Sequence, residues 1–364
     1  MTYGHGLIVG KFYPPHAGHH ALIDAAAAAC TRVTVVVAPS SGESVPLALR
    51  LEWLRAAHGS NVNFVGVYDD HPVDYADPAV WDLHVAVFRA AAGCSTVDAV
   101  FSSEPYGAEL ARRFGAVAVT VDLDRVKVPV SGTAIRADPV AHWDMLGPGV
   151  RAWLTRRVIV VGAESSGTTT MARALARQFR LRGGVWALTR WVPEFGRELT
   201  ERKLEALRLA EPDATVDQVG WDRADFGTVA REQNAAEDAA ARAGSPILFG
   251  DTDALATLLW EERYLGDGSA EVARLVRAPD LYLLTDDDGV PFVDDGLRDG
   301  EAIRSWMTGR FRELIRESGV RNRELTGSYP QRLRAAVAAC DELIARGWSF
   351  APPLSQSAPP PIGR

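Results

Sequence analysis

The sequence predicts an α/β protein with two doubly wound domains, each built on a parallel sheet covered by helices. Buried β-runs alternate with helical stretches through both halves of the chain, which is the pattern of parallel sheets with crossover helices. Each half opens with a β-run, a glycine-rich turn and a helix, at residues 6–29 and again at residues 158–179. At 364 residues the chain is also too long for one ordinary core.

The boundary between the domains is expected at Gly147-Pro148-Gly149, where turn-forming residues interrupt the pattern. We predict a first, Rossmann-like domain at residues 1–149, a short basic linker helix at 150–157 and a second domain at 158–348. The last residues, 349–364, are rich in proline and serine and are predicted to be disordered.

Five parallel strands are expected in the first domain. They are Gly6–Val9, Val33–Ala38, Val62–Tyr68, Val97–Phe101 and Val117–Val121. Helices are predicted at Ala21–Ala29, Leu47–His58 and Pro78–Ala92. Because the carboxyl ends of parallel strands meet at one edge of a sheet, the loops that follow them are expected to form one binding edge.

The loop after the first strand, Gly10–His19, concentrates groups that bind phosphate. Lys11 contributes an ammonium group, and His16 and His19 contribute imidazoles beside a helix N-terminus, where unpaired N–H groups attract anions. Gly18 leaves room for a phosphate to approach the backbone. The alternative is a polar loop with two surface histidines. Lysine occurs at only three positions in this chain, and its use here favours the phosphate interpretation.

Residues 130–136 provide a second phosphate signal. Ser131 is a suitable N-cap, Gly132 and Thr133 open the first helical turn, and Arg136 lies close enough in sequence to share an anion. Alone, this is also the pattern of a capped surface helix. Together with the first loop, it predicts a cage for a triphosphate formed by two helix N-termini.

Composition narrows the class of protein. The hydrophobic fraction of 47% is typical of globular proteins, and the net charge of −8 argues against a large nucleic-acid-binding face. The three cysteines, Cys30, Cys94 and Cys340, form no CxxC pair, which fits a reducing compartment and argues against a zinc site. Since no apolar stretch is long enough to span a membrane, we expect a cytoplasmic protein.

The motifs GKFYPPHAGHH and SGTAIR resemble those of the nucleotidyltransferase superfamily, whose members carry a GxFxPxHxGH loop and an IS(S/G)TxIR helix start. The segments FSSEPYGAELA, DLDRVKVPVSGTAIRADPVAHW and FGDTDALATLLW are similar to the NadR-type bifunctional nicotinamide-mononucleotide adenylyltransferase and ribosylnicotinamide kinase. This resemblance covers nearly the whole chain apart from the tail. Some members of that family begin with a DNA-binding helix-turn-helix, for which we expect no room before Gly10.

The resemblance implies that the first domain adenylylates nicotinamide mononucleotide with ATP, which would bring Mg²⁺ with it. His16 and His19 would hold phosphate oxygens, while Lys11 and Arg136 would neutralise charge on pyrophosphate. ATP would also contact Gly10, Phe12, Gly18, Ser131, Gly132 and Thr133, and the mononucleotide would contact Trp81, Ser102, Glu104 and Tyr106. For Trp81, a place in the core stays open beside stacking on the nicotinamide ring.

The second domain begins with the pattern of a P-loop: a strand at Val158–Val161, a glycine loop at Gly162–Thr170 and a helix at Met171–Phe179. Thr168 stands where the motif GxxxxGK[ST] has lysine. The backbone cradle does not need that lysine, and Thr169 can still place a hydroxyl group on Mg²⁺. The residues assigned to ATP in this domain are Gly162, Ser165, Ser166, Gly167, Thr168, Thr169 and Thr170.

Two carboxylates follow predicted strands of the second domain. The strands are Val185–Thr189, Pro246–Gly250 and Leu281–Thr285, and a packing helix is predicted at Ser328–Arg346. Glu194 suits a base that activates a hydroxyl group, and Asp251 suits a Mg²⁺ partner. Each of the two also fits a helix-capping role.

Arginines are the candidates to replace the missing P-loop lysine. Residues 296–304 resemble a lid in which Arg298 and Arg304 could close over the transferred phosphate. Arg173, one turn into the P-loop helix, is another candidate, and Arg197 is assigned to substrate binding.

The sequence therefore predicts a NAD-salvage enzyme that would also phosphorylate nicotinamide riboside to the mononucleotide. One alternative is a second domain that only senses nucleotide or riboside. Another is a first domain that adenylylates a different phosphorylated small molecule. The expected ligands are ATP, nicotinamide mononucleotide, nicotinamide riboside and the product NAD, with no nucleic acid and no membrane partner. A homo-oligomer is left open.

Overall fold

The computed structural model describes residues 2–93, 96–298 and 300–354. The chain divides into two compact units, one formed by Met1–Val150 with Trp348–Arg364 and the other by Arg151–Gly347. Each unit contains a five-stranded parallel sheet flanked by helices, so the predicted α/β fold class is confirmed. Cys94 and residues 355–364 of the predicted tail lie outside the described residues.

The sheet of the first unit has the strand order β3-β2-β1-β4-β5. Its strands are β1 (Tyr3–Gly10), β2 (Cys30–Val37), β3 (Val62–Gly66), β4 (Ala99–Ser102) and β5 (Val117–Thr120). Its helices are α1 (Ala17–Ala29), α2 (Leu47–Arg55), α3 (Pro78–Ala92), α4 (Gly107–Phe114) and α5 (Gly132–Ala137). Side chains alternate across β1, so that Ile8 packs with α1 and Leu7 packs with α3 on the other face.

The sheet of the second unit has the order β10-β9-β6-β8-β7. Its strands are β6 (Arg156–Gly162), β7 (Arg190–Val192), β8 (Ile247–Asp251), β9 (Leu281–Thr285) and β10 (Asn322–Leu325). The helices from the domain boundary onward are α6 (Pro148–Leu154), α7 (Thr168–Arg180), α8 (Phe195–Arg208), α9 (Arg223–Ala243), α10 (Ala254–Leu265), α11 (Ala270–Leu275), α12 (Arg304–Ser318) and α13 (Tyr329–Ala345). Across the described residues, no helix has both the length and the apolar character needed to cross a membrane.

The strand predicted at Val185–Thr189 is wrong. Gly184–Leu188 forms a short 3₁₀ helix, and the strand β7 begins only at Arg190. Gly183 and Gly184 both have positive φ, at +72° and +54°, which turns the backbone away from an extended path. Strand β10 was not predicted, because its residues are mostly polar and exposed at the edge of the sheet.

The described part of the predicted tail is held against the first unit rather than free. The Tyr13 hydroxyl donates to the Ala351 carbonyl at 2.8 Å, and the Ala351 N–H donates to Ser44 Oγ at 2.7 Å. The ring of Phe350 meets that of Tyr13 edge-on at 5.9 Å. Composition alone predicts disorder here. The aromatic contact and the paired backbone groups offset the chain entropy that is lost when the segment is ordered.

Candidate functional site

The phosphate-binding loop predicted for the first domain lies between β1 and α1. His16 is the N-cap residue of α1, and its side chain accepts a hydrogen bond from the backbone N–H of Gly18 at 3.2 Å. A Cβ atom on residue 18 would lie 3.1 Å from the His16 ring, so glycine allows this close approach. The His16 ring is thereby held at the start of the helix.

His16 and His19 form a stacked pair with ring centroids 3.7 Å apart, and Phe12 packs on His19 at 4.8 Å. Burial lowers the pKa of His16 to about 3, with His20 and Arg125 adding to the effect, and burial lowers the pKa of His19 well below its usual value. Both imidazoles are therefore neutral near pH 7, and each carries one N–H. Within the described residues, the buried Nδ1 atom of His19 has no hydrogen-bond partner, which leaves it available to a ligand.

Lys11 supplies the ammonium group of the loop and shares it between two oxygen atoms. Its Nζ atom lies 3.1 Å from Glu43 Oε1 and donates to the Leu354 carbonyl at 3.0 Å. Glu43 is also paired with Arg50 at 2.7 Å, and both of those side chains are fully buried. Since Glu43 has this second cation, Lys11 can turn towards a phosphate without leaving a buried carboxylate unpaired.

Helix α5 brings the second phosphate signal to the same loop. Ser131 caps the helix, and its Oγ atom accepts from the Ala134 N–H at 3.1 Å. Arg136 donates through Nη1 to the Tyr13 carbonyl at 2.6 Å and lies 4.9 Å from the centroid of the Tyr13 ring. A Cβ atom on Gly132 would lie 3.0 Å from the same carbonyl oxygen. The two segments that were predicted separately are therefore in direct contact.

One cavity of about 800 Å³ joins these groups to an aromatic wall. All the residues predicted for the first domain's site line it: Gly10, Lys11, Phe12, His16, Gly18, His19, Trp81, Ser102, Glu104, Tyr106, Ser131, Gly132, Thr133 and Arg136. Its volume falls in the range of small-molecule sites. Arg125 also lines the cavity and pairs with Glu104 at 2.5 Å, although the sequence analysis assigned it no role.

The aromatic wall consists of Tyr75, Trp81 and Tyr106. The ring of Tyr75 lies 5.8 Å from each of the other two and is nearly parallel to that of Tyr106. Trp81 is 6% exposed and donates its Nε1–H to the Tyr75 carbonyl at 3.1 Å. Trp81 packs in the core and also lines the cavity, so both interpretations of this residue stay compatible with its position.

Asp69, His71 and His84 form a cluster on the same cavity that the sequence motifs did not reveal. The buried Asp69 carboxylate lies 2.8 Å from His71 Nδ1 and 2.5 Å from His84 Nδ1. The contact with Asp69 raises the pKa of His84. Burial alone would raise the pKa of Asp69, but hydrogen bonds from the two histidines lower it overall. The signal in the sequence is Asp-x-His, followed by a histidine one turn after Trp81 on α3.

The predicted P-loop of the second unit lies between β6 and α7. Ser166 donates to the Ala163 carbonyl at 2.6 Å and shares a hydrogen bond with Thr285 Oγ1 at 2.7 Å. A Cβ atom on Gly162 would lie 2.2 Å from the same Thr285 oxygen, so this position requires glycine. Gly167 precedes α7 with a φ of +96°. These turns curve the backbone as in a phosphate cradle.

Two carboxylates lie near the start of α7. Asp251, the last residue of β8, is 1% exposed, and the hydroxyl groups of Thr169 and Thr168 act to lower its pKa. Its Oδ1 atom is buried with no hydrogen-bond partner in the described part of the chain. Burial raises the pKa of Asp251, and burial with the neighbouring Asp251 charge raises the pKa of Glu194 to about 8. Two adjacent acids that resist ionisation would be stabilised by a bound cation.

The arginines of the lid segment have different roles. Arg298 donates to Ser165 Oγ at 2.8 Å, which holds it at the P-loop. Arg304 is buried and donates to two backbone carbonyls at 2.9 and 3.4 Å. It therefore holds the lid segment in place and does not line the cavity beside the P-loop, which is described next. Arg173 lies over the ring of Trp191 at 5.6 Å, away from its suggested place at the phosphate.

A smaller cavity of about 110 Å³ adjoins the P-loop. The predicted residues that line it are Gly162, Ser165, Thr168, Thr169, Glu194, Arg197 and Arg298. The predicted residues outside its lining are Ser166, Gly167, Thr170, Asp251 and Arg304. Trp221, Trp260 and Tyr264 also line it, and the Tyr264 ring lies 5.8 Å from Trp221 and 6.4 Å from Trp260. Trp260 ends the segment FGDTDALATLLW, but the sequence analysis assigned no role to any of the three. Together they offer a flat apolar wall for a planar ring.

Comparison with known proteins finds one family model that matches the second unit and relatives that match most of the chain. A family model described as an AAA domain matches residues 157–332. The trifunctional NAD biosynthesis/regulator protein NadR of Salmonella typhimurium is 24% identical over 334 residues, and that of Escherichia coli is 26% identical over 337 residues. Each alignment covers 86% of this chain and 77% of the relative.

Solved structures show the same fold. A NadR protein in complex with NR superposes with a TM-score of 0.70 at 22% identity, covering 95% of this chain and 97% of the other. A NadR protein in complex with NAD and AMP-PNP superposes with a TM-score of 0.68 at 23% identity, covering 94% and 96% of the two chains. The arrangement of strands and helices is therefore shared along nearly the whole chain.

Proposed function

Because the chain is a homologue of the NadR proteins over most of its length, we propose that it acts in NAD biosynthesis and that its first unit adenylylates nicotinamide mononucleotide with ATP. One observation carries this proposal: a single cavity joins Lys11, His16, His19 and Arg136 to the aromatic wall at Trp81. A ligand with phosphates at one end and a flat ring at the other fits such a cavity. The ligands named for the two similar NadR structures, NR and NAD with AMP-PNP, support this ligand class.

The proposed reaction needs no protein nucleophile. A phosphate oxygen of the mononucleotide forms a bond to the α-phosphorus of ATP, the bond from that phosphorus to the bridging oxygen breaks, and pyrophosphate leaves. His16 and His19 would each donate a hydrogen bond from one N–H group to phosphate oxygens, and both rings would do so in their neutral form. Lys11 and Arg136 would neutralise the charge that develops on pyrophosphate, and the rigid loop would align the reacting atoms.

Mg²⁺ is the cofactor proposed for both units, bound to ATP. In the second unit, the unpartnered Oδ1 atom of Asp251 and the hydroxyl group of Thr169 fit this ion, which prefers oxygen ligands. When bound, Mg²⁺ neutralises charge on the β- and γ-phosphates. The protein's own contribution there is the P-loop cradle and the placement of Asp251 behind it.

We also propose that the second unit phosphorylates nicotinamide riboside, which would supply the mononucleotide to the first. Glu194 lines the smaller cavity, and with a pKa of about 8 the fraction that is ionised, and so able to accept a proton from the riboside hydroxyl group, grows as the pH rises towards 8. Arg298, bonded to the P-loop at Ser165, is the candidate for the charge that Thr168 does not provide.

The decisive experiment incubates the purified chain with ATP and Mg²⁺ and one acceptor at a time, with products separated by chromatography. The acceptors are nicotinamide mononucleotide, nicotinic acid mononucleotide, nicotinamide riboside and a phosphorylated compound that lacks a pyridine ring. NAD from the mononucleotide and mononucleotide from the riboside are expected. Adenylylation of only the last acceptor would refute the assignment of the first unit, and riboside binding without turnover would make the second unit a sensor.

A further inference from the structure

The cavity of the first unit carries a group of ligands that the adenylylation proposed above does not use. We propose that Asp69, His71 and His84 bind a divalent transition-metal ion of the zinc type. One ligand atom from each of the three residues lies within 4.8 Å of the others. Two imidazoles and a carboxylate are a donor set that suits Zn²⁺ or Co²⁺, whereas Mg²⁺ prefers oxygen alone.

The orientation of His84 is that of a metal ligand. Its Nε2 atom lies 3.0 Å from the Pro72 carbonyl oxygen, which can only accept, so Nε2 carries a hydrogen. A neutral ring then has its lone pair on Nδ1, which lies 2.5 Å from Asp69 Oδ2. At this distance the two atoms share a proton, because a metal ion with ligand bonds of about 2.0–2.2 Å would hold them farther apart. A bound metal ion would take the place of that proton as the two side chains shift slightly apart, and a backbone carbonyl on the second ring nitrogen is the usual support for a metal-bound histidine.

His71 completes the donor set from the other side of the carboxylate. Its Nδ1 atom lies 2.8 Å from Asp69 Oδ1, and its side chain is 37% exposed, while that of Asp69 is 5% exposed. The carboxylate itself is well positioned, because the Asp69 N–H donates to the Pro39 carbonyl at 2.9 Å. The cluster therefore combines a fixed, buried anion with one ligand that opens to solvent, which leaves a coordination position for water.

A metal ion at this position would link the loop after β3 to helix α3. Asp69 and His71 belong to that loop, and His84 lies on α3 one turn after Trp81. The ion would thus hold the segment that carries the aromatic wall of the cavity. Its role would be to position Tyr75 and Trp81, separately from any Mg²⁺ that arrives with ATP.

The test uses the full chain without a histidine tag, stripped of metal by a chelator and free of nucleotide. Co²⁺ is titrated by equilibrium dialysis, and its visible absorption reports the coordination geometry. We expect one equivalent per chain, and we expect His71→Ala, His84→Ala and Asp69→Asn each to weaken binding by about tenfold or more. A roughly tenfold excess of Mg²⁺ should not displace the Co²⁺.

His142→Ala is the matched control, since His142 is a histidine of the same unit that does not line the cavity. It should bind Co²⁺ as the wild type does, and circular dichroism establishes that each variant is folded. His71→Ala is the most informative variant because this side chain is partly exposed and its loss leaves the core intact. Substoichiometric binding by the wild type, or equal affinity in the His71→Ala variant, would show that the cluster is only a hydrogen-bonded carboxylate with two histidines.

Discussion

Replacing His19 with alanine should lower the rate of NAD formation at least a hundredfold while the fold stays intact. The buried Nδ1 atom has no partner among the described residues, and the neutral ring can donate one hydrogen bond to a phosphate oxygen. Loss of one such donor in a transition state lowers kcat by about 100- to 1000-fold, or about 2.7–4 kcal/mol. The loss in free energy of unfolding is smaller, because the ring of His19 makes only two such contacts. These are with His16 at 3.7 Å and Phe12 at 4.8 Å, and each contributes about 1 kcal/mol.

The assay measures kcat and KM for the mononucleotide at saturating ATP and Mg²⁺, together with thermal unfolding. His20→Ala is the control, because His20 is the next residue on the same helix but bonds to His58 at 2.8 Å and does not line the cavity. It should change kcat by no more than about threefold. A near-normal rate in His19→Ala, or equal losses in both variants, would refute the placement of the triphosphate at this helix start.

Four further predictions concern pH, the P-loop and the domain boundary. The free energy of unfolding should fall by about 2 kcal/mol between about pH 6.5 and 5, because the unfolded His16 takes up a proton that the folded group, with a pKa of about 3, does not. In the His16→Gln variant, denaturant titration should show no such fall from this residue. The folded pKa of Glu194, about 8, lies above its unfolded value, so this group destabilises the fold as pH rises from about 4.5. Glu194→Gln should be about 4 kcal/mol more stable than wild type at pH 8, equal at pH 4, and inactive towards the riboside. Arg298→Ala should lower riboside phosphorylation by about a hundredfold, with partial recovery in Arg298→Lys, whereas equal rates in all three proteins would exclude a catalytic lid arginine. A fragment of residues 1–156 should fold and make NAD but melt at a lower temperature than the full chain, since it lacks the contacts of Phe350 and Ala351 with Tyr13; an insoluble fragment would contradict an independent first unit.

The predicted phosphate loops depended on signals that are local in the chain. In Gly10–His19 and in Gly162–Thr170, the strand, the glycine turn and the helix start follow one another directly, so the sequence alone indicates where backbone N–H groups will converge. The same locality explains why α3 was predicted with its observed bounds, since its N-cap, Asp77, and its C-terminal Gly93 are adjacent to it in sequence. Pro/Ser-rich composition, by contrast, could not show that Ala351 would find partners on Ser44 and Tyr13.

By itself, the sequence determined the α/β class, the order of the elements and the residue types at each phosphate loop, because these follow from hydrophobic periodicity and turn chemistry over short distances. Only the tertiary structure decided which distant groups meet. Asp69 and His84 are fifteen positions apart and lie on different elements, yet their side chains approach to 2.5 Å. Arg304 and Arg298 are both arginines of the lid segment, and the sequence does not distinguish them. In the structure, the buried Arg304 bonds to backbone carbonyls, whereas Arg298 bonds to the P-loop. Charge pairing and desolvation depend on distances in space, and these exist only once the chain has folded.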